Sequence, residues 1–239
     1  MKILHLDTNH PLLINQLNEL GFENVENYTA SKTEIEAIIS NYDGIVIRSR
    51  FKIDATFLDA ATNLKFIARV GAGLESIDVD YALTKGIHLI SAPEGNRNAV
   101  GEQALGMLLA LFNKLKNADL EIRAGKWLRE KNRGIELEGK TIGIIGMGRI
   151  GQQTAKYALG LGMNVIGYDP KLSVEAAWQL SSSVTRAENL NSLLARSDFV
   201  TLHVPVVPAT LGFMNEEAFS AIKEGAQLIN LARGELVDE

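Results

Sequence analysis

Lys140-Thr-Ile-Gly-Ile-Ile-Gly-Met-Gly-Arg-Ile-Gly151 is the stretch that decides how this chain folds. A β-branched run from Thr141 to Ile145 leads into Gly146-x-Gly148-x-x-Gly151, and a helical pattern starts at once. In a strand–turn–helix unit each glycine has a mechanical task. Gly146 permits the tight turn, Gly148 lets the backbone approach a pyrophosphate, and Gly151 lets the helix pack close to the strand. The N–H groups at the helix start, at the positive end of its dipole, suit a diphosphate. A second apolar strand, Asn164–Tyr168, ends in Asp169, 18 residues after Gly151. A carboxylate there accepts hydrogen bonds from ribose hydroxyls and repels a 2′-phosphate, which favours NAD over NADP. A lone glycine triplet would carry little weight. Strand, glycines, helix, strand and terminal acid in register predict a dinucleotide site.

Outward from this unit, strands and helices alternate. Before it come the strand Ile3–Leu6, the helix Pro11–Leu20 closed by Gly21, and a helix over Ser31–Ser40. Ser31 with Glu34 three residues on has the pattern of a capping box. Strands follow at Gly44–Ile47, Lys65–Ala68 and Ile87–Ile90, with helices near 55–61 and 78–85 between them. After it come the strands Phe199–His203 and Ala226–Leu231. This alternation predicts an α/β protein with two doubly wound parallel-sheet domains, 1–97 and 98–239. Asn98–Asn117 reads as one long helix, apolar on nearly every side from Leu105 to Leu115, and so as a buried helix between the domains.

Composition narrows the function. The 239 residues are 46% hydrophobic and carry a net charge of −5, with Lys and Arg dispersed, so no nucleic-acid partner is expected. There is no cysteine, which excludes disulfides and thiolate chemistry and is compatible with a reducing cytoplasm. The four histidines, at 5, 10, 88 and 203, lack the spacing of a helical zinc site, so no metal is expected. The longest apolar stretch, Ala104–Phe112, is too short to span a bilayer, and His5 and Asp7 interrupt any signal-peptide pattern. No membrane partner is expected, and a cytoplasmic location is.

Five segments carry a resemblance. They are Arg69-Val-Gly-Ala-Gly73 with Asp78; Glu94-Gly-Asn96; Gly143 to Gly151; Asp198-Phe-Val-Thr-Leu-His-Val-Pro205; and Asn230-Leu-Ala-Arg-Gly234 with Val237-Asp238. In kind and order the chain resembles the D-isomer-specific 2-hydroxyacid dehydrogenases over nearly its whole length. Ile47-Arg48-Ser49, Pro93-Glu94-Gly95-Asn96 and Trp127-x-Arg129 with Asn132-Arg133-Gly134 lean towards the members that oxidise 3-phosphoglycerate to 3-phosphohydroxypyruvate in serine synthesis. The resemblance implies a flavodoxin-like substrate domain, a Rossmann NAD-binding domain and a small 2-hydroxy or 2-oxo acid as substrate.

It also assigns roles. Arg233 is expected to anchor the substrate carboxylate in two-point geometry and to assist the hydride step. Arg48, Ser49, the Gly71-Ala72-Gly73 concavity and Asn96 are expected to bind substrate. Gly146, Gly148, Arg149, Ile150, Gly151 and Asp169 are expected at the pyrophosphate and ribose of NAD. His203, Val204 and Pro205 line its adenosine side, and Asn230, Ala232, Arg233 and Val100 border the nicotinamide. Val206-Val207-Pro208 lacks the threonine usual in the family, and Thr210 is expected to stand in for it.

The family's acid–base histidine and its carboxylate belong to motifs that follow Val237-Asp238. They are expected beyond residue 239, as is the strand–helix return to the first domain. A truncated, poorly active chain is therefore expected. The apolar helix and Trp127 on the arm Glu121–Arg133 predict a homodimer through the NAD-binding domain, which lies in the middle of the family's sequences. Two other readings compete with the enzyme: a non-catalytic NAD-sensing module of the same fold, and a regulatory fragment with a vestigial site. The intact glycines and Asp169 argue against the second of these.

Overall fold

The computed structural model describes residues 1–239 as two units, Met1–Asn96 and Arg97–Glu239. In the first, β1 (Lys2–His5), α1 (Pro11–Glu19), β2 (Glu23–Glu26), α2 (Lys32–Glu36), β3 (Gly44–Ile47), α3 (Ala55–Ala60), β4 (Phe66–Arg69), α4 (Val79–Thr84) and β5 (His88–Ser91) follow in order. All strands are parallel, in the order β2-β1-β3-β4-β5. Leu4, Leu6, Ile45, Ile47, Phe57, Leu58 and Ile67 form one buried core. Each such Ile or Leu taken from water contributes roughly 1.5–3 kcal/mol.

The second unit comprises α5 (Arg97–Phe112), α6 (Leu115–Arg123), β6 (Thr141–Ile145), α7 (Arg149–Gly160), β7 (Asn164–Tyr168), α8 (Val174–Trp178), β8 (Val184–Arg186), α9 (Leu190–Arg196), β9 (Phe199–Leu202), α10 (Glu216–Ser220) and β10 (Gln227–Asn230). Its parallel sheet runs β10-β9-β6-β7-β8. The sheet is covered on both faces, so successive residues of β6 enter different cores. Ile142 and Ile144 join Leu105, Leu108 and Phe199, whereas Ile145 joins Leu193, Leu194, Val200 and Leu202. In each unit the strand order reverses once, between β1 and β3 and between β6 and β9. Ligands of open α/β sheets collect at the carboxyl ends of such strand pairs.

Four sequence expectations need correction. β2 and β8 were not foreseen. They are edge strands of sequence Glu-Asn-Val-Glu and Val-Thr-Arg, too short and polar to show an apolar period. The capping box at Ser31 and Glu34 forms as expected, but the α-helix ends at Glu36 and a 3₁₀ turn covers Ile39–Asn41. The long helix 98–117 is two helices. The returning segment pins the end of α5, with Ile135 N–H donating to the Phe112 carbonyl and Lys114 Nζ donating to the Lys131 carbonyl, and Lys114 takes φ 49°. Nor is the apolar stretch buried all round. Gly101, Ala104, Leu105 and Leu108 are buried against the unit's own core, while Leu111 and Leu115 are exposed.

Candidate functional site

β6 ends in a turn that admits only glycine at two of its positions. Gly146 has φ 93°, and a Cβ there would lie 2.7 Å from the His203 carbonyl oxygen, on the neighbouring strand end. At Gly151 a Cβ would lie 2.0 Å from the Gly146 carbonyl oxygen, so α7 can begin this close to the strand only with glycine. Gly148 differs. Its φ of −71° is ordinary, and an added Cβ would meet nothing within 4 Å. The protein has no packing reason for glycine there. Space beside the backbone is what a pyrophosphate needs, and no side chain caps the start of α7.

Asp169 closes the adjoining strand. Its Oδ2 accepts from the Met147 N–H at 2.9 Å and its Oδ1 from the Lys171 N–H at 2.9 Å. A carboxylate offers about four acceptor sites, so both oxygens retain capacity for ribose hydroxyls. Turn, open helix start and terminal acid together fit a dinucleotide. Arg149 and Ile150 occupy the first turn of α7.

His203 follows β9. Its backbone N–H donates to the Ile145 carbonyl at 2.8 Å, and its Nε2 lies 3.2 Å from the Thr201 hydroxyl. Burial pushes its pKa down to about 4, so the ring is neutral near pH 7. It is a weak proton acceptor, consistent with a packing role. Thr210 has its hydroxyl engaged in its own turn, accepting from the Val207 N–H and donating to the Pro205 carbonyl at 2.6 Å. It shapes the 205–210 loop beside Val204.

At the end of β10 an Asx turn orders the next residues. The Asn230 side chain accepts from the Ala232 N–H at 3.0 Å and donates to the Arg233 carbonyl at 2.7 Å. Arg233 is exposed, with one terminal nitrogen donating to the Ala232 carbonyl. Val100 is half-buried on α5.

The first unit presents a second set of strand ends. The Asp7 carboxylate, after β1, accepts from the Arg48 N–H at 2.6 Å, after β3. Arg69 at the end of β4 donates through Nε to the Arg48 carbonyl at 3.1 Å. Its guanidinium occupies the space that a Cβ on Gly71 would fill, just as the Glu75 carboxylate occupies that of Gly73. Arg48 and Ser49 are exposed beside this edge, and Asn96 is exposed at the end of the unit. Arg50, by contrast, is committed to the Leu6, Asn27 and Ala30 carbonyls.

Sequence reasoning missed three positions. Asp7 was visible as an acid closing an apolar strand, the same signal as Asp169. Arg69 sat inside a quoted motif without a role. Gln152, which bonds to the glycine turn, had no signal at all.

A groove of about 780 Å³ runs along α7 and is lined by Arg97, Lys156, Leu159 and Leu180. It meets the glycine motif only at Gly148 and Arg149 and includes neither Asp169 nor His203. The groove therefore does not coincide with the glycine turn and strand-end acid. No group of three or more His, Cys, Asp or Glu is placed to hold a metal ion, and no helix is long and apolar enough to cross a membrane.

Known proteins share this arrangement. Residues 105–239 match the model of the D-isomer specific 2-hydroxyacid dehydrogenase, NAD binding domain. The D-3-phosphoglycerate dehydrogenase of Archaeoglobus fulgidus is 39% identical over 239 residues, and that of Methanocaldococcus jannaschii 40% over 240. All of this chain is covered in both matches, yet it spans only 45% of each relative. A glyoxylate reductase from Paecilomyes thermophila superposes with a TM-score of 0.86 at 27% identity, covering 100% of this chain and 75% of the other. The glycine turn and strand-end acid of the second unit are thus those of an NAD-binding domain, and the chain belongs to the D-isomer-specific 2-hydroxyacid dehydrogenase family.

Proposed function

We propose that the protein serves NAD-dependent oxidation of a D-2-hydroxy acid, and that its substrate is 3-phosphoglycerate, converted to 3-phosphohydroxypyruvate in serine synthesis. The observation that carries this reading is 39–40% identity to D-3-phosphoglycerate dehydrogenases along the whole chain. The residues at the two sheet edges suit that chemistry. Arg233 offers a planar donor pair for a carboxylate, held on an ordered Asx turn. Arg48 and Arg69 place two cations at the edge of the first unit, as a phosphate-bearing acid requires, with Ser49, Gly71-Ala72-Gly73 and Asn96 beside them. We assign the first unit to substrate and the second to cofactor.

Bound NAD would accept the hydride. The hydroxyl proton needs a separate acceptor, and His203, with its pKa near 4, is a poor one. We place the acid–base histidine and its carboxylate outside residues 1–239. The 239-residue polypeptide then binds NAD but turns over slowly, because loss of acid–base catalysis costs ~10²–10⁴-fold. A non-catalytic NAD-sensing module is the competing reading, favoured by that same weak base. We further assign the exposed apolar surface around Trp127 to a homodimer contact.

Calorimetric titration of the NADH-loaded protein tests the substrate. 3-Phosphohydroxypyruvate should bind more tightly than pyruvate, with the difference lost in Arg48→Ala and overall binding weakened in Arg233→Ala. Pyruvate binding as tightly as the phosphorylated acid would overturn the assignment. Binding of neither acid would favour the sensing module.

A further inference from the structure

Gln152 lies on the first turn of α7, one residue past the last glycine of the motif. Its Nε2 donates to the Met147 carbonyl at 3.0 Å and to the Ala176 carbonyl, on α8, at 3.2 Å. The Met147 N–H is held separately by Asp169 at 2.9 Å. Side chains therefore fix both peptide groups of Met147.

The Met147 carbonyl and the Gly148 N–H belong to one peptide unit. No peptide of the chain is cis, so these two dipoles point in opposite directions across a single plane. A carbonyl pinned at Gln152 sets the direction of the Gly148 N–H. That restraint matters because glycine at 148 removes the usual obstacle to a peptide flip, since positive φ costs it almost nothing. Nothing lies within 4 Å of the place a Gly148 Cβ would take, so packing on that side does not resist a flip. Neighbouring Gln153 instead packs towards α5, its Cγ 3.2 Å from where a Cβ of Gly101 would lie.

We propose that Gln152 is a positioning residue for the cofactor. By holding the Met147 carbonyl it presents the Gly148 N–H to the pyrophosphate, and through Ala176 it ties the turn to α8. It touches no cofactor atom itself. The inference rests on the dinucleotide reading of the glycine turn.

Calorimetry with NADH, ADP-ribose and adenosine separates this role from a general one. Gln152→Met keeps the side chain's length but lacks the donor, and Gln152→Glu replaces the donor with an acceptor. In Gln152→Met, NADH and ADP-ribose should weaken by about 3- to 10-fold, as for loss of one or two hydrogen bonds, while adenosine changes by less than about 2-fold. Gln152→Glu should show the same selectivity with a larger loss. Equal NADH affinity in the parent and both variants would overturn the inference alone. An equal loss for adenosine would show general loosening and overturn it as well. A parent protein that fails to bind NADH would overturn the cofactor reading and the inference together.

Discussion

The Met147 N–H donates to the Asp169 carboxylate at 2.9 Å, joining the turn after β6 to the acid that ends β7. Asp169 therefore shapes the glycine turn in addition to the proposed role of its charge in selecting NAD. Asp169→Ala removes both effects, and NADH affinity should fall at least ~10-fold, since a hydrogen bond to a charged group is worth about 1.5–3 kcal/mol. Asp169→Asn can still accept from Met147 but carries no charge. It should narrow the preference for NADH over NADPH more than it weakens NADH binding. Competitive titration of the two cofactors measures both effects, and tighter NADPH binding by the parent would refute the role given to Asp169.

Two glycines of the motif should fail in different ways. Gly151→Ala drives a Cβ to 2.0 Å from the Gly146 carbonyl oxygen, so the helix must move, at a cost of roughly 1–3 kcal/mol of stability. Gly148→Ala meets open space, and unfolding of the unliganded protein should shift by less than about 1 kcal/mol, the scale of an N-cap change. NADH binding should nevertheless be lost, because the methyl fills the place proposed for the pyrophosphate. Denaturant unfolding paired with NADH titration distinguishes the two variants.

His203 makes stability depend on pH in a defined window. Its pKa is about 4 in the folded protein against 6.5 when unfolded, so between those values the unfolded state binds more protons. Stability falls as pH drops from about 6.5 to about 4 and the contribution levels off below that, with an upper bound of roughly 3 kcal/mol. His203→Asn should flatten the slope in this window. A slope unchanged by the substitution would place the effect elsewhere.

Trp127 is 78% exposed, and Leu115, Leu120, Ile122, Leu128 and Ile135 are also exposed on α6 and the segment after it. Trp127 does not fold back onto its own unit. Sedimentation should give a dimer at micromolar concentration, and Trp127→Ala should raise the dissociation constant by at least ~30-fold, since a buried tryptophan anchor is worth ≥2 kcal/mol. A 26.1 kDa species alone in the parent would count against the contact.

Much of the candidate site's local structure was legible because its signals are local. Glycines at fixed offsets, an acid at a strand end and a capping serine each act within a few residues, and a linear motif records them. The alternating apolar runs likewise announced eight of the strands. Edge strands β2 and β8 left no such trace, since half their hydrogen-bonding edge faces solvent and their side chains need not be apolar.

From its sequence alone the chain is committed to parallel α/β units, a glycine turn around Gly146–Gly151 and an acid at Asp169. Covalent geometry and short-range sterics impose these wherever the chain folds. Tertiary structure decided what depends on distant groups meeting. It broke the apolar helix at Lys114, where the 131–135 segment returns, and it partly buried His203, desolvating the ring so that it stays neutral near pH 7. It also brought Gln152 between Met147 and Ala176, a contact no spacing rule anticipates, because a glutamine's role is set by whichever carbonyls the fold places within its reach.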